Sequence, residues 1–134
     1  GAYNRDYLEF VLSRRINQIE STQSDNNENY FEFQCCYAIL LHHFTQYNKK
    51  NGWKQGDKLL NKFAETLESI SEKGMIFRLY GDDFILLHAN HFELEQNLST
   101  IEKLLDGTEV TISYKHFHLD KEKITSLSEL ENKL

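Results

Sequence analysis

The sequence predicts an α+β fold in which an antiparallel central sheet carries helices packed against it. Three observations lead there. Helical and strand periodicities follow one another in the order α-β-α-α-β-β-α-β-α. Two apolar strands, near residues 75–80 and 83–88, are separated by a stretch too short for anything but a turn. From Cys35 to Leu41 the chain is apolar at every position, which marks a central strand covered on both faces or packed at an interface. Ferredoxin-like and palm folds share this arrangement.

Each element has its own signal. Leu8, Val11, Leu12, Ile16 and Ile19 recur at helical spacing and predict an amphipathic helix over residues 5–20. Ser21 to Asn29 is polar and reads as a loop. Phe31 to Leu41 follows as a long strand, then a short helical turn near residues 44–50 and a longer helix with Leu60, Phe63, Ala64, Leu67 and Ile70 on one stripe. In the hairpin, Gly81-Asp82 suits the central pair of a type II′ turn, because glycine tolerates the positive φ of the first central position. Leu94, Leu98, Ile101 and Leu105 give another helix. Asp106-Gly107 then turns the chain into a strand from Glu109 to His118, with Val110, Ile112 and Tyr114 on one face. Ser126-Leu127-Ser128-Glu129 has capping-box form, and Leu127, Leu130 and Leu134 continue a helical stripe.

Composition bounds the function. A chain of 134 residues, 40% hydrophobic with nine Phe and seven Tyr, suits one domain with one core. Its formal charge of −6 and lack of a Lys/Arg cluster argue against a nucleic-acid surface, which rests on clustered positive charge. A polybasic membrane patch is disfavoured for the same reason. No apolar run approaches the roughly 20 residues needed to span a bilayer, and no secretory signal pattern opens the sequence. Cys35 and Cys36 are strand neighbours that point to opposite faces, so they read as reduced, buried thiols of a cytoplasmic protein rather than a disulfide.

The chemistry-bearing feature is Arg78-Leu79-Tyr80-Gly81-Asp82-Asp83-Phe84, which sets two acids at the hairpin tip. Carboxylates on a rigid turn can hold a hard cation such as Mg²⁺, which prefers oxygen ligands and often engages nucleotide phosphates; two acids beside a glycine also commonly do no more than solvate a loop. Tyr80-Gly81-Asp82-Asp83 also matches the Y-G-D-D of RNA-dependent polymerases, but the chain is short for a polymerase and has no basic template channel.

Together with Tyr3-Asn4-Arg5-Asp6-Tyr7-Leu8 and with Phe44 to Asp57, this hairpin resembles the GGDEF family, the diguanylate cyclase domain of bacterial cyclic-di-GMP signalling. The family pattern runs L-Y-N-R-R-x-L, D-I-D-x-F-K-x-x-N-D-x-x-G-H-x-x-G-D and R-Y-G-G-D-E-F, and its spacing is intact from Phe44 to Phe84. The resemblance implies a nucleotidyl cyclase-type fold in which two domains, each holding GTP with metal ions, form a dimer and join their nucleotides. It makes Asn48 and Asp57 the pair that reads guanine. As purely structural residues, Asn48 would end a helical turn and Asp57 would cap the next helix. It makes Asp82 the metal-binding acid of the signature and Asp83 the acid beside it, with Tyr80 and Gly81 against the nucleotide. Opening at Gly1-Ala2, where the family has T-G-L, suggests a piece of a longer multidomain signalling protein.

The departures from that pattern predict a degenerate site. Leu40 stands where the family has a metal-ligating Asp, and an isobutyl group offers no lone pair. His42 replaces the second acid of the motif, and imidazole favours softer metals than Mg²⁺. His42-His43 as a substitute metal pair is disfavoured, because adjacent strand residues point apart. Thr45 replaces a lysine on the phosphate side. Tyr80 replaces the first signature glycine, where its ring could fill the space or stack on a base. Trp53 replaces a histidine and reads as a packing residue. The closing D-x-A-L-Y-x-A-K motif is missing, since Lys121, Lys123 and Lys133 do not fit it. The R-x-x-D inhibition motif would fall at Ser71 to Gly74 and is also missing. The expectation is therefore a domain with little or no cyclase activity and weakened Mg²⁺ binding. Guanine nucleotide binding, or only contact with a second copy or a partner signalling domain, would survive. The alternative is an active cyclase working through Asp82, Asp83 and a shifted metal.

Overall fold

In the computed structural model, residues 2–20, 32–71, 73–89 and 92–134 are described, without the side chains of 17–20. The loop expected from Ser21 to Asn29 and the side chain of Ile19 lie outside these residues. The elements are α1 (Arg5–Glu20), β1 (Cys35–His42), α2 (Phe44–Asn51), α3 (Trp53–Ser71), β2 (Met75–Arg78), β3 (Asp83–His88), a 3₁₀ turn (Leu94–Asn97), α4 (Leu98–Leu105), β4 (Thr111–His118) and α5 (Leu127–Glu131). The order matches the sequence expectation, with the 3₁₀ turn added.

The four strands form one antiparallel sheet in the order β2-β3-β1-β4. This is the βαββαβ arrangement of ferredoxin-like and palm folds, in which each helical crossover spans one intervening strand: β3 lies between β1 and β2, and β1 between β3 and β4. The central position of β1 explains its unbroken apolar run. Tyr37, Ile39 and Leu41 join Phe63, Leu67 and Ile101 in a core beneath α2, α3 and α4. Cys36 and Ala38 join Leu8, Val11, Leu12 and Leu130 in a second core beneath α1 and α5. Burying apolar surface on both faces is what holds the layers together, at about 25 cal/mol per Å². Arg15, only 1% exposed, is tolerated in α1 because its guanidinium meets Asp120 Oδ2 at 2.7 Å and donates to the Phe33 carbonyl at 2.6 Å.

Several boundaries differ from the sequence reading. The first strand begins at Cys35 rather than Phe31, β2 ends at Arg78 rather than residue 80, and β4 begins at Thr111 rather than Glu109. More consequentially, α3 begins at Trp53, so Asp57 sits inside the helix and does not cap it. Asn48 likewise lies within α2, which runs on to Asn51 before Gly52 ends it at φ 88°. Trp53 is 78% exposed, which corrects its reading as a packing residue. At α5, Ser126 Oγ accepts from the Glu129 N–H as expected. The Glu129 carboxylate instead accepts from the Thr125 and Ser126 hydroxyls, so only half of the capping box forms. Both cysteines are buried, and burial pushes the Cys36 thiol up to about 12, the opposite of a reactive thiol.

Candidate functional site

The hairpin between β2 and β3 closes as its sequence demands. The Asp83 N–H donates to the Tyr80 carbonyl at 3.1 Å, which makes Gly81 and Asp82 the central pair. Gly81 has φ 59° while Asp82 avoids positive φ, the combination of a type II′ turn. Arg78 Nε donates to the Gly81 carbonyl at 2.8 Å and braces the turn from β2. Tyr80 is 63% exposed and lies beneath the Arg5 guanidinium, 5.5 Å from its ring centroid. Arg5 in turn bonds Glu131 at 2.7 Å, so α1 and α5 are both linked to the tip.

Pairing between β1 and β3 decides what the two acids face. Leu40 lies directly opposite Asp83. On β4, its partner is Ser113. Side chains alternate along a strand, so Leu40, His42 and Asp83 share the face that carries Ala38 and Ile85 farther in. His42 Nε2 and Ser113 Oγ are 2.6 Å apart, and the imidazole is engaged there. Burial chiefly raises the pKa of the half-buried Asp83 carboxyl; neighbouring Asp82 raises it further and His42 partly opposes both. Asp82 is half-buried as well, and its backbone carbonyl accepts from the Leu41 N–H at 3.4 Å.

These donors do not fit Mg²⁺ in the family manner. The ion takes near-octahedral oxygen ligands, with carboxylates offsetting its charge. Here the side chain opposite Asp83 is aliphatic, and the next one on that face is an imidazole bonded to Ser113. His43 does not complete a pair with His42. It stands at φ 66° in front of α2 and is exposed.

Asn48 and Asp57, the pair that the resemblance assigns to guanine, sit at the same end of the sheet, because α2 starts two residues after β1 ends. Asn48 is half-buried and its side chain lies against Gly56, where an added Cβ would fall 1.7 Å from Asn48 Oδ1. The missing side chain of Gly56 is what lets the Asn48 amide enter between α2 and α3. Among the described residues, Asn48 Oδ1 is buried without a hydrogen-bond partner. Asp57, the next residue after Gly56, is exposed. The structure therefore brings Leu40, His42 and the acids of the turn to one end of the sheet. Asn48 and Asp57 stand on the adjoining helices. What the sequence reading missed is the Arg5–Tyr80 contact and the His42–Ser113 bond, since both depend on how distant elements dock.

Comparison with known proteins agrees with this fold. The family described as "Diguanylate cyclase, GGDEF domain" matches residues 1–122. No curated protein sequence gives a significant match. Among solved structures, the GGDEF domain of YfiN (also called TpbB) from Pseudomonas aeruginosa superposes with TM-score 0.67 at 19% identity, covering 98% of this chain and 84% of that one. A sensory box/GGDEF family protein from Caulobacter crescentus gives 0.66 at 23% identity, with 98% and 87% covered. The S helix-GGDEF-EAL segment of Vibrio cholerae LapD, bound to c-di-GMP, gives 0.55 at 16% identity, with 83% of this chain and 26% of that one covered. At these identities the structural likeness establishes the fold.

Proposed function

Since this chain belongs to the GGDEF family of diguanylate cyclase domains, we propose that it is a degenerate member: a regulatory module of cyclic-di-GMP signalling that does not itself make the product. The observation that carries this reading is the register of β1 on β3, which sets Leu40 opposite Asp83 where the family places an acid. Without that carboxylate, less negative charge remains to hold the cations that neutralise nucleotide phosphates. Thr45 removes a positive group from the phosphate side, and Tyr80 puts a ring where the family backbone is bare. Removing a single donor to a transition state costs ~10²–10³ in rate, and these losses bear on the same charge.

Guanine recognition is the part of the site with the most support. The buried, unpartnered Asn48 Oδ1 is an acceptor whose isolation costs about 1–3 kcal/mol, and guanine presents N–H donors on its base-pairing edge. The LapD segment carries its GGDEF domain alongside an EAL domain. An arrangement of that kind would let this domain act on an attached or partnering domain, as a dimer or as a GTP-occupied switch.

The test is incubation of purified protein with GTP and either Mg²⁺ or Mn²⁺, followed by chromatographic separation of products. The expected result is intact GTP. Robust cyclic-di-GMP formation would establish the active-cyclase alternative through Asp82 and Asp83. Calorimetric titration with GTP, repeated on Asn48→Ala, reports the binding step separately: weaker heat in the variant supports base reading, and no heat in either leaves a protein-interaction role.

A further inference from the structure

At the far end of the sheet from the signature hairpin, three neighbouring strands place two imidazoles and a thiol on one face. His88 ends β3 and pairs with Cys35 at the start of β1, and His116 on β4 pairs with Tyr37 two residues along. One potential ligand atom from each of Cys35, His88 and His116 lies within 4.8 Å of the others. We propose that these residues form a transition-metal site, of a kind suited to Zn²⁺, that fastens β4 and β3 to β1.

The chemistry of the donors selects the ion. Two imidazoles and a thiolate are borderline-to-soft ligands that favour Zn²⁺ or Co²⁺ over Mg²⁺ or Ca²⁺. The geometry is close to what a tetrahedral ion needs. His88 Nε2 and His116 Nε2 are 3.0 Å apart, while two nitrogens bound to one Zn²⁺ at its usual bond length stand roughly 3.4 Å apart. The corresponding sulfur–nitrogen separation is roughly 3.6 Å, so Cys35 Sγ closes by about 1 Å through side-chain rotation.

The tautomers also agree. His88 Nδ1 faces the Ala89 carbonyl, which can only accept, so Nδ1 carries the proton and Nε2 keeps its lone pair. A backbone carbonyl on the distal nitrogen is the usual support for a metal-bound histidine.

The rings are held in place before any ion arrives. His116 stacks on Tyr37 with centroids 3.9 Å apart at 2°, and His88 stacks on the same ring at 5.0 Å. Tyr37 is fixed in turn by donating to Glu95 Oε2 at 2.9 Å and accepting from the Leu94 N–H. Burial chiefly lowers the pKa of His116, with His118 acting in the same sense and Glu95, Glu122 and Glu93 opposing it, so the imidazole rests neutral with a lone pair to offer. His116 is exposed, so a water from solvent can take the fourth position, as at three-ligand zinc sites. This region is about five strand residues from Leu40 and Asp83, roughly 17 Å, so its test does not depend on the nucleotide site.

The experiment is titration of reduced, tag-free protein with Co²⁺, then displacement by Zn²⁺ measured calorimetrically. One equivalent of Co²⁺ is expected to give tetrahedral ligand-field bands and thiolate charge-transfer absorption. Cys35→Ser abolishes the charge-transfer band, Cys36→Ser keeps it, and His116→Gln weakens Zn²⁺ at least ~10-fold. Because Cys35 is buried and its variant can fail to fold, the exposed His116→Gln stands as the independent arm. Absence of stoichiometric binding to the wild type, or a spectrum and affinity unchanged in His116→Gln, overturns the proposal.

Discussion

Replacing Leu40 with aspartate restores the carboxylate that the family places there, and the structure says what this should cost. Leu40 is half-buried, so removing its apolar contact forfeits about 1 kcal/mol. Directly paired strand residues hold their Cβ atoms about 5 Å apart, and a new carboxylate opposite Asp83 repels it by roughly 3 kcal/mol at an effective dielectric near 20. Partial exposure of both groups screens that to about 1–2 kcal/mol. Without metal, Leu40→Asp should therefore be about 2–3 kcal/mol less stable, close to a 10 °C fall in Tm for a domain of this size. A divalent ion that binds only the folded variant returns about 1.4 kcal/mol at ten times its Kd. Differential scanning fluorimetry with and without Mg²⁺ reads both effects. The reasoning predicts a wild-type Tm indifferent to Mg²⁺ and a variant Tm that falls and is then partly recovered. An equal Mg²⁺ response in the two proteins, or a variant that loses no stability without metal, refutes it.

Three further predictions follow from the packing. Gly56→Ala should lower stability by about 1–3 kcal/mol, because the new Cβ meets Asn48 Oδ1; an unchanged Tm would show that the Asn48 amide is not seated there. Asp83 has its folded pKa raised, so its ionisation opposes folding: stability falls as pH rises from the ordinary Asp value through the raised one. Asp83→Asn should then raise Tm at neutral pH, with the gain vanishing below about pH 4, and a lower Tm at neutral pH contradicts the burial of this carboxyl. Arg15→Ala should cost about 1–3 kcal/mol in urea unfolding, since it takes the donor from the Phe33 carbonyl, while the exposed Asp120 returns to water; an unchanged stability would make these bonds incidental.

The elements that were legible in the sequence are those whose signal is local. Alternation and helical stripes placed α1, α4 and the hairpin, and the unbroken apolar run of β1 announced a strand covered on both faces. The turn residues gave the conformation of Gly81-Asp82 outright, because only glycine accepts that φ cheaply. Helix starts were harder. Nothing polar caps α3 in the sequence, so Asp57 looked like its beginning, whereas the helix starts four residues earlier, at the exposed Trp53.

The site was legible as a set of positions and not as an arrangement. That Leu40 stands where the resemblance expects an acid can be read from the motif. That it faces Asp83, with His42 engaged by Ser113, depends on pairing among three strands that are distant in sequence. The Cys35, His88 and His116 cluster was hidden for the same reason, since no spacing connects the ends of β1, β3 and β4.

The central claim is that the position opposite Asp83 no longer helps to anchor a divalent ion. It is tested most directly by a crystal structure of the protein grown with GTP and Mg²⁺. The account predicts no octahedral ion between the end of β1 and Asp82, with any bound nucleotide held at Asn48. An ordered Mg²⁺ at Asp82, carrying a triphosphate positioned for attack, would contradict it.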